Sequence, residues 1–180
     1  MASALGLDSS VLSPFARAER LDVLERLTSG RRRVVTEAVL REIDRGCAEH
    51  PPLAQIRALS WLDVVSPRSP TELEVFNEYI RVLGAAERNI GESSILAWAE
   101  ATSSMVVMDD DDAVRAARKR NVSVLRTLTL LCNGLHGKLL TIDQASALVD
   151  ELVTAGGARF PCDGASFVQW AERNGLLPAG

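Results

Sequence analysis

Residues 105–112 read M-V-V-M-D-D-D-D, a short apolar run that ends directly in four aspartates. The start of the chain repeats this arrangement, since residues 4–7 form a short, largely apolar run and Asp8 follows them. Short apolar runs bounded by polar residues are typical of buried strands. In a parallel sheet, functional sites usually lie outside the carboxyl ends of the strands. The two runs therefore predict carboxylates gathered at one functional edge of such a sheet.

Three further runs predict strands, at residues 34–35, 61–65 and 122–125, and helical stretches separate the strands from one another. Strands that alternate with helices favour right-handed crossovers and a parallel sheet covered on both faces. The sequence therefore predicts an α/β fold with three layers, α/β/α, and a mainly parallel central sheet.

Local signals predict where several helices begin. Residues 13–14 read Ser-Pro, which predicts an N-cap followed by proline at the first helical position. Residues 69–72 and 141–144 each have a hydroxyl residue followed three positions later by Glu or Gln, which predicts capping boxes. Gly91 is predicted to open another helix.

The composition indicates an ordinary folded protein. Of its 180 residues, 47% are apolar and 24% are charged, so we expect one domain over residues 1–180. Its core should cover residues 4–130, with a helical C-terminal part over residues 131–180. The net charge of −4 does not by itself indicate a nucleic-acid partner.

The cysteines and the hydropathy pattern bear on localisation. Cys47, Cys132 and Cys162 are far apart and odd in number, which argues against a disulfide framework and a zinc knuckle. No stretch reaches the roughly 18 apolar residues of a membrane span. We therefore expect a cytoplasmic protein with no membrane partner.

Acidic side chains are the main candidates for catalytic or metal-binding residues in this sequence. It contains no H-E-x-x-H motif, no glycine-rich phosphate loop and no G-x-S-x-G motif. His50 and His136 are the only histidines, and neither has the local signature of a nucleophile–histidine site. A site built from acids is the remaining interpretation.

Two motifs in the first quarter of the chain resemble those of the PIN-domain family. Residues 7–12 read L-D-S-S-V-L, which is similar to the D-T-S-x-L opening of that family and places Asp8 at its acid. Residues 35–43 read V-T-E-A-V-L-R-E-I and resemble the second motif, in which a glutamate precedes an aliphatic residue. That register selects Glu42 and not the more conspicuous Glu37.

Two later motifs follow in the family's order. Residues 91–99 read G-E-S-S-I-L-A-W-A and resemble the third motif, which places an acid, here Glu92, at a helix start. Residues 106–113 read V-V-M-D-D-D-D-A and resemble the fourth motif. Its register selects Asp110, with Asp109 as the neighbouring alternative.

The resemblance implies a three-layer PIN-like fold and a ribonuclease that uses Mg²⁺ or Mn²⁺, hard ions that prefer oxygen ligands. The implied catalytic residues are Asp8, Glu42, Glu92 and Asp110. The implied metal ligands are Asp8, Glu92, Asp109 and Asp110. The expected substrate-binding residues are Ser10, Arg31, Arg32 and Arg33.

The resemblance also implies partners, and the sequence leaves two alternatives. Similar bacterial proteins are toxins, so RNA is the expected substrate, an antitoxin protein the expected partner and a homodimer the expected assembly. Met108, Val114 and Arg126 depart from the family's pattern around the fourth motif, which leaves open a PIN-like regulatory protein without catalysis. A third reading is a structural domain whose acids only cap helices.

The chain has few tryptophans, and each could serve the core, an interface or a nucleobase. Trp61, Trp98 and Trp170 are the three in the chain. Large aromatic side chains usually serve cores and interfaces. We therefore expect these three to be core or interface residues and not platforms for nucleobases.

Overall fold

The computed structural model describes residues 4–67 and 69–178, except for the side chains of residues 87 and 88. Within these residues, five strands form one parallel sheet in the order β3-β2-β1-β4-β5. The strands are β1 (Leu5–Leu7), β2 (Arg33–Thr36), β3 (Leu62–Val65), β4 (Met105–Val107) and β5 (Ser123–Leu125). Each predicted strand is confirmed, with bounds that differ by one or two residues.

Helices flank the sheet, and the predicted α/β/α fold is confirmed. They are α1 (Ser9–Arg17), α2 (Leu21–Leu27), α3 (Glu37–Gly46), α4 (Pro70–Leu83), α5 (Glu87–Thr102), α6 (Asp111–Lys119), α7 (Thr127–His136), α8 (Ile142–Thr154) and α9 (Phe167–Arg173). A 3₁₀ helix covers Pro51–Ala58. In the part of the chain that the structure describes, no helix is both long and apolar enough to cross a membrane.

The strand order creates a natural crevice. β1 lies at the centre of the sheet, where Leu5 is in register with Arg33 of β2 and Leu7 with Val107 of β4. From β1 the chain moves outward through β2 to β3, whereas from β4 it moves outward in the opposite direction to β5. Such a reversal leaves a crevice at the carboxyl ends of the two central strands.

Helix α5 packs closely against the central strand. A Cβ atom at Gly6 would lie 3.0 Å from Ile95 Cδ1 and 3.1 Å from the Trp98 ring, so glycine permits this close approach. Ile95 and Trp98 are buried, and the prediction that Trp98 belongs to the core is confirmed.

Two predicted helix starts are wrong. Helix α1 begins at Ser9, directly after β1, because the Asp8 carboxylate accepts a hydrogen bond from the Ser10 N–H and caps the helix. Pro14 consequently lies inside the helix. Helix α5 begins at residue 87, four residues before Gly91.

The two predicted capping boxes are confirmed. The Ser69 hydroxyl accepts from the Glu72 N–H, and the Glu72 carboxylate accepts from the Ser69 N–H. Thr141 and Gln144 make the same reciprocal pair at the start of α8. These signals succeed because both partners are close in sequence and need no tertiary contact.

Candidate active site

A cleft of about 710 Å³ opens at the carboxyl ends of the central strands. The amino ends of α1 and α6, the inner faces of α3 and α5, and residues 156–160 form its walls. The acidic residues that line it are Glu42, Glu92, Asp109, Asp110, Asp111 and Asp112. The predicted gathering of carboxylates at this edge is therefore present.

Asp8 is fully buried at the end of β1. Its Oδ2 accepts hydrogen bonds from the Ser10 hydroxyl at 2.6 Å and from the Ser10 N–H at 3.0 Å. Its Oδ1 is buried and has no hydrogen-bond partner among the described residues. Burial raises the pKa of Asp8, the bonds from Ser10 oppose that rise, and the nearby charge of Asp109 adds to it.

Asp109 lies two residues after the end of β4 and is held by Thr127. Its Oδ1 accepts from the Thr127 N–H at 3.0 Å and its Oδ2 from the Thr127 hydroxyl at 2.6 Å. The Asp109 N–H donates to the Ser10 hydroxyl at 3.1 Å. Burial raises the pKa of Asp109, and the Thr127 bonds oppose it. Ser10 therefore links the two acids that follow β1 and β4.

Glu42 reaches the same place from α3. Its Oε1 accepts from the Ser9 hydroxyl at 2.8 Å, whereas its Oε2 is buried without a partner among the described residues. A Cβ atom at Gly91 would lie 2.5 Å from that Oε2, so only glycine leaves room for the carboxylate. Burial, followed by the charge of Asp8, raises the pKa of Glu42 to about 7.

Glu37 lies on the same helix but serves a surface network. Its carboxylate accepts from Arg57 at 3.2 Å and lies 3.7 Å from Arg41. Glu37 does not line the cleft, whereas Glu42 does. The match to the family's second motif selects Glu42, which interacts with Asp8, although Glu37 is the more conspicuous glutamate in the sequence.

Asp110 and Glu92 line the cleft in different settings. Asp110 is the N-cap of α6, where its Oδ1 accepts from the Ala113 N–H at 2.9 Å. Asp109, the alternative, is linked to Asp8 through the Ser10 hydroxyl and through its charge. Glu92 lies in the second turn of α5, so a helix-terminal role does not account for its position.

The donor set suits a hard divalent cation. Asp8 and Glu42 each present one buried carboxylate oxygen without a partner among the described residues. Among residues 4–67 and 69–178, no three acidic, histidine or cysteine side chains form a ready-made metal cluster. Mg²⁺ is commonly held by one or two carboxylates, with water and substrate oxygens completing its octahedron. The residues present fit an ion bound in that way.

The family of the chain follows from a comparison with family models. The model described as a PIN domain matches residues 7–165. The chain belongs to the PIN-domain family. A search of curated proteins finds no match to it. PIN domains are generally nucleases and typically use divalent metal ions, which agrees with a cleft lined by carboxylates.

The basic triplet does not join the acids of this PIN domain. Arg31, Arg32 and Arg33 lie at the amino end of β2, which is the opposite edge of the sheet from the cleft. Arg32 pairs with Asp63 at 2.7 Å, and the Arg33 guanidinium lies 5.2 Å from the centre of the Trp61 ring. Contact between the triplet and RNA stays a prediction, and it would concern RNA distant from the cleft.

Several residues of the site escaped the sequence interpretation. Thr127 follows β5 by two residues at the same edge of the sheet, so a hydroxyl residue just beyond a predicted strand was the available signal. Arg126, predicted as a departure from the family pattern, donates to the Asp109 carbonyl at 3.2 Å and pairs with Asp111 at 2.5 Å. Arg159 reaches the cleft from a distant loop that no local pattern marks.

Proposed function

We propose that this PIN domain is a ribonuclease that hydrolyses RNA phosphodiester bonds with the help of Mg²⁺ or Mn²⁺. The observation that carries the proposal is the pair of buried, unpartnered oxygens on Asp8 and Glu42, beside Asp109. A buried carboxylate oxygen without a partner destabilises a fold unless a cation or a further donor compensates it. Such an arrangement is therefore more typical of a site than of a core.

Each acid has a proposed role. Asp8 and Glu42 would hold the cation, and Asp109 would join them or orient a water through its fixed carboxylate. A bound divalent ion supplies Lewis acidity and an activated water. The raised pKa of Glu42, about 7, belongs to the site without an ion, and a bound cation would lower it by favouring the charged carboxylate. Glu92 and Asp110 would position water or the ion from the cleft walls.

The protein groups around the acids would position the phosphate. The Ser10 hydroxyl fixes Asp8 and Asp109 relative to each other, so it sets the spacing of the ligands. Arg17 and Arg159 line the cleft and form no ion pair with any residue that the structure describes. Their positive charges would offset the phosphates of an RNA bound beside so many acids.

Cleavage of RNA tests the proposal. Purified protein should cut single-stranded RNA with Mn²⁺ or Mg²⁺ and should be inactive in EDTA. Asp8→Asn should lower the rate by about 100-fold or more, as losses at metal sites commonly do. Asp143→Asn, which changes an exposed acid on α8, should match the wild type. Equal rates for Asp8→Asn and the wild type would refute the assignment.

Metal binding can be tested without catalysis. Mn²⁺ should raise the melting temperature of the wild type, and Asp8→Asn should abolish that increase. A stabilisation that survives in Asp8→Asn would place the ion elsewhere.

We also propose that the protein is the toxin of a toxin–antitoxin pair and forms a homodimer, which its resemblance to bacterial PIN toxins supports. Induced expression in bacteria should arrest growth, and Asp8→Asn should not. Growth unaffected by the active wild type would argue against a toxin. Light scattering on the purified protein measures whether it is a dimer.

One observation favours a regulatory protein without catalysis as the second candidate. Arg126 places a guanidinium on the Asp109 carbonyl and on Asp111, which adds a fixed positive charge at the acidic edge. If this cation suppresses ion binding, Arg126→Gly should create metal-dependent cleavage that the wild type lacks. Wild-type cleavage would exclude this candidate.

A further inference from the structure

A second groove, of about 700 Å³, lies beside the cleft. The two share four lining residues, namely Asp109, Asp111, Arg159 and Phe160. The remaining wall comes from Arg126, the first turn of α7, and residues 170–176 in and after α9. We call it the α7–α9 groove. Because the cleft and the groove share a wall, a strand bound over the acids can continue into the groove.

The groove offers an aromatic surface at its far side. Trp170 is half-buried on α9 and lines the groove, and Phe160 is half-buried where the groove meets the cleft. Nucleobases stack on such side chains whatever their sequence, because every base has a π face. Trp170 packs against the core, as expected from the sequence, but it also lines the groove, where its accessible part could take a base.

Polar groups beside the indole suit the edge of a base. The Asn174 side-chain amide donates to the Trp170 carbonyl at 2.8 Å, which fixes its orientation. Its Oδ1 receives no hydrogen bond from the residues that the structure describes. A fixed carbonyl oxygen can accept from an amino or imino group on the edge of an unpaired base.

Two arginines stand beside Asp109 and Asp111 where the cleft meets the groove. Arg159 is exposed, lines both the cleft and the groove, and forms no ion pair with the described residues. Arg126 lines the groove and shares its charge with Asp111. A phosphate next to the cleaved one would lie against these guanidinium groups, which contact phosphate oxygens in pairs.

We propose that the α7–α9 groove binds a nucleotide of single-stranded RNA adjacent to the cleaved phosphate, with its base stacked on Trp170 and its phosphate at Arg159. This inference rests on the proposed nuclease activity. The groove admits a base only when that base is unpaired, so double-stranded RNA is excluded from it. Residues 159–174 would thereby bind single-stranded RNA in preference to double-stranded RNA.

Binding of a labelled RNA measures the groove independently of cleavage. A fluorescein-labelled single-stranded RNA of about ten nucleotides should bind Asp8→Asn, and adding Trp170→Ala should weaken its affinity about tenfold. Trp170→Phe keeps a stacking surface and should stay within about threefold. Arg159→Gln should weaken binding and reduce the salt dependence by about one phosphate contact. Arg173→Gln, an exposed arginine on α9 outside both grooves, is the matched control.

Turnover separates a binding role from a structural one. In the otherwise wild-type enzyme, Trp170→Ala should raise KM for RNA and leave kcat nearly unchanged. Cleavage of bis(p-nitrophenyl) phosphate, which has no neighbouring nucleotide to place in the groove, should change much less than cleavage of RNA. Equal losses on both substrates would overturn the proposal, because they would show damage to the fold.

The outcomes distinguish this inference from the nuclease assignment. If Trp170→Ala and Arg159→Gln bind single-stranded RNA as tightly as Arg173→Gln does, the groove proposal is wrong even where cleavage occurs. Double-stranded RNA that competes equally well would also overturn it. If neither the wild type nor any variant cleaves but Trp170→Ala still weakens RNA binding, the groove is an RNA-binding surface, and the nuclease assignment fails together with the position next to a cleaved phosphate.

Discussion

The stability of Glu42→Gln relative to the wild type should increase as the pH rises. The Glu42 carboxyl has a pKa of about 7 in the folded protein, against an ordinary value of 4.5, because it is buried near Asp8. Above pH 7 the folded protein therefore holds a charge that the unfolded chain holds at lower cost. Below pH 4.5 the carboxyl is neutral in both states, and this penalty disappears.

The size of the effect follows from the pKa difference. One pKa unit corresponds to about 1.4 kcal/mol, so the full shift corresponds to about 3 kcal/mol at high pH. Because Glu42 is only partly buried, solvent screening reduces the expected value to about 2 kcal/mol. For a chain of this length that is about 4–8 °C in melting temperature. Glutamine keeps the acceptor for the Ser9 hydroxyl, and its unpaired amide adds an offset that does not depend on pH.

The assay is thermal unfolding of both proteins in EDTA from about pH 5 to about pH 8.5. The melting temperature of Glu42→Gln minus that of the wild type should rise across this range. Glu37→Gln is the matched control, since Glu37 lies on the same helix and pairs with Arg57 at the surface. The melting temperature of Glu37→Gln minus that of the wild type should correspond to no more than about 1 kcal/mol and should not rise with pH. A flat difference for Glu42→Gln, or an equal rise for Glu37→Gln, would refute the reasoning.

Alanine substitutions at two glycines near the cleft give two further predictions, one mainly on activity and one on stability. Gly91→Ala adds helix propensity worth about 1 kcal/mol but displaces the Glu42 carboxylate, so the melting temperature should hardly change while cleavage falls about tenfold or more. Unchanged cleavage would show that Glu42 is not needed. Gly156→Ala places a Cβ atom 2.5 Å from the Leu152 carbonyl and 2.7 Å from that of Pro14, which cannot move aside. It should lose about 1–3 kcal/mol of unfolding free energy in denaturant titrations, and a smaller loss would contradict the packing.

Much of the fold was predictable because its signals are local. The apolar run before Asp8 and the run before Asp109 each end where a strand ends, so their direction in a parallel sheet places both acids at one edge. The capping box at Ser69 likewise needed only residues three positions apart. Such features follow from sequence because the interacting groups are neighbours along the chain.

Asp109 and Asp110 differ in tertiary contacts that the sequence does not show. Both follow β4, and the family register favours Asp110, but only Asp109 receives the two bonds from Thr127. That partner lies eighteen positions along the chain, on the far side of β5. The location of Arg31 to Arg33 also depended on the sheet, since a basic triplet before a strand lies at the edge opposite the acids.

The start of α1 was missed for a different reason. Ser13-Pro14 has the form of a helix start, but Asp8 caps the helix five residues earlier. The same residue therefore follows a strand, caps a helix and lies buried beside Ser9 and Ser10, which line the cleft. A residue with three roles gives no single pattern for sequence analysis to detect.

The placement of the acids on separate strands has a consequence during synthesis of the chain. Asp8, Asp109 and Thr127 follow β1, β4 and β5, which come together only when distant segments pair. Parallel pairings of this kind form late in folding, because their loops must close first. Until β5 and the following Thr127 have emerged from the ribosome, no threonine is in place to donate hydrogen bonds to the Asp109 carboxylate. If the protein is the ribonuclease proposed above, the growing polypeptide would not cleave the messenger from which it is translated until the sheet is complete.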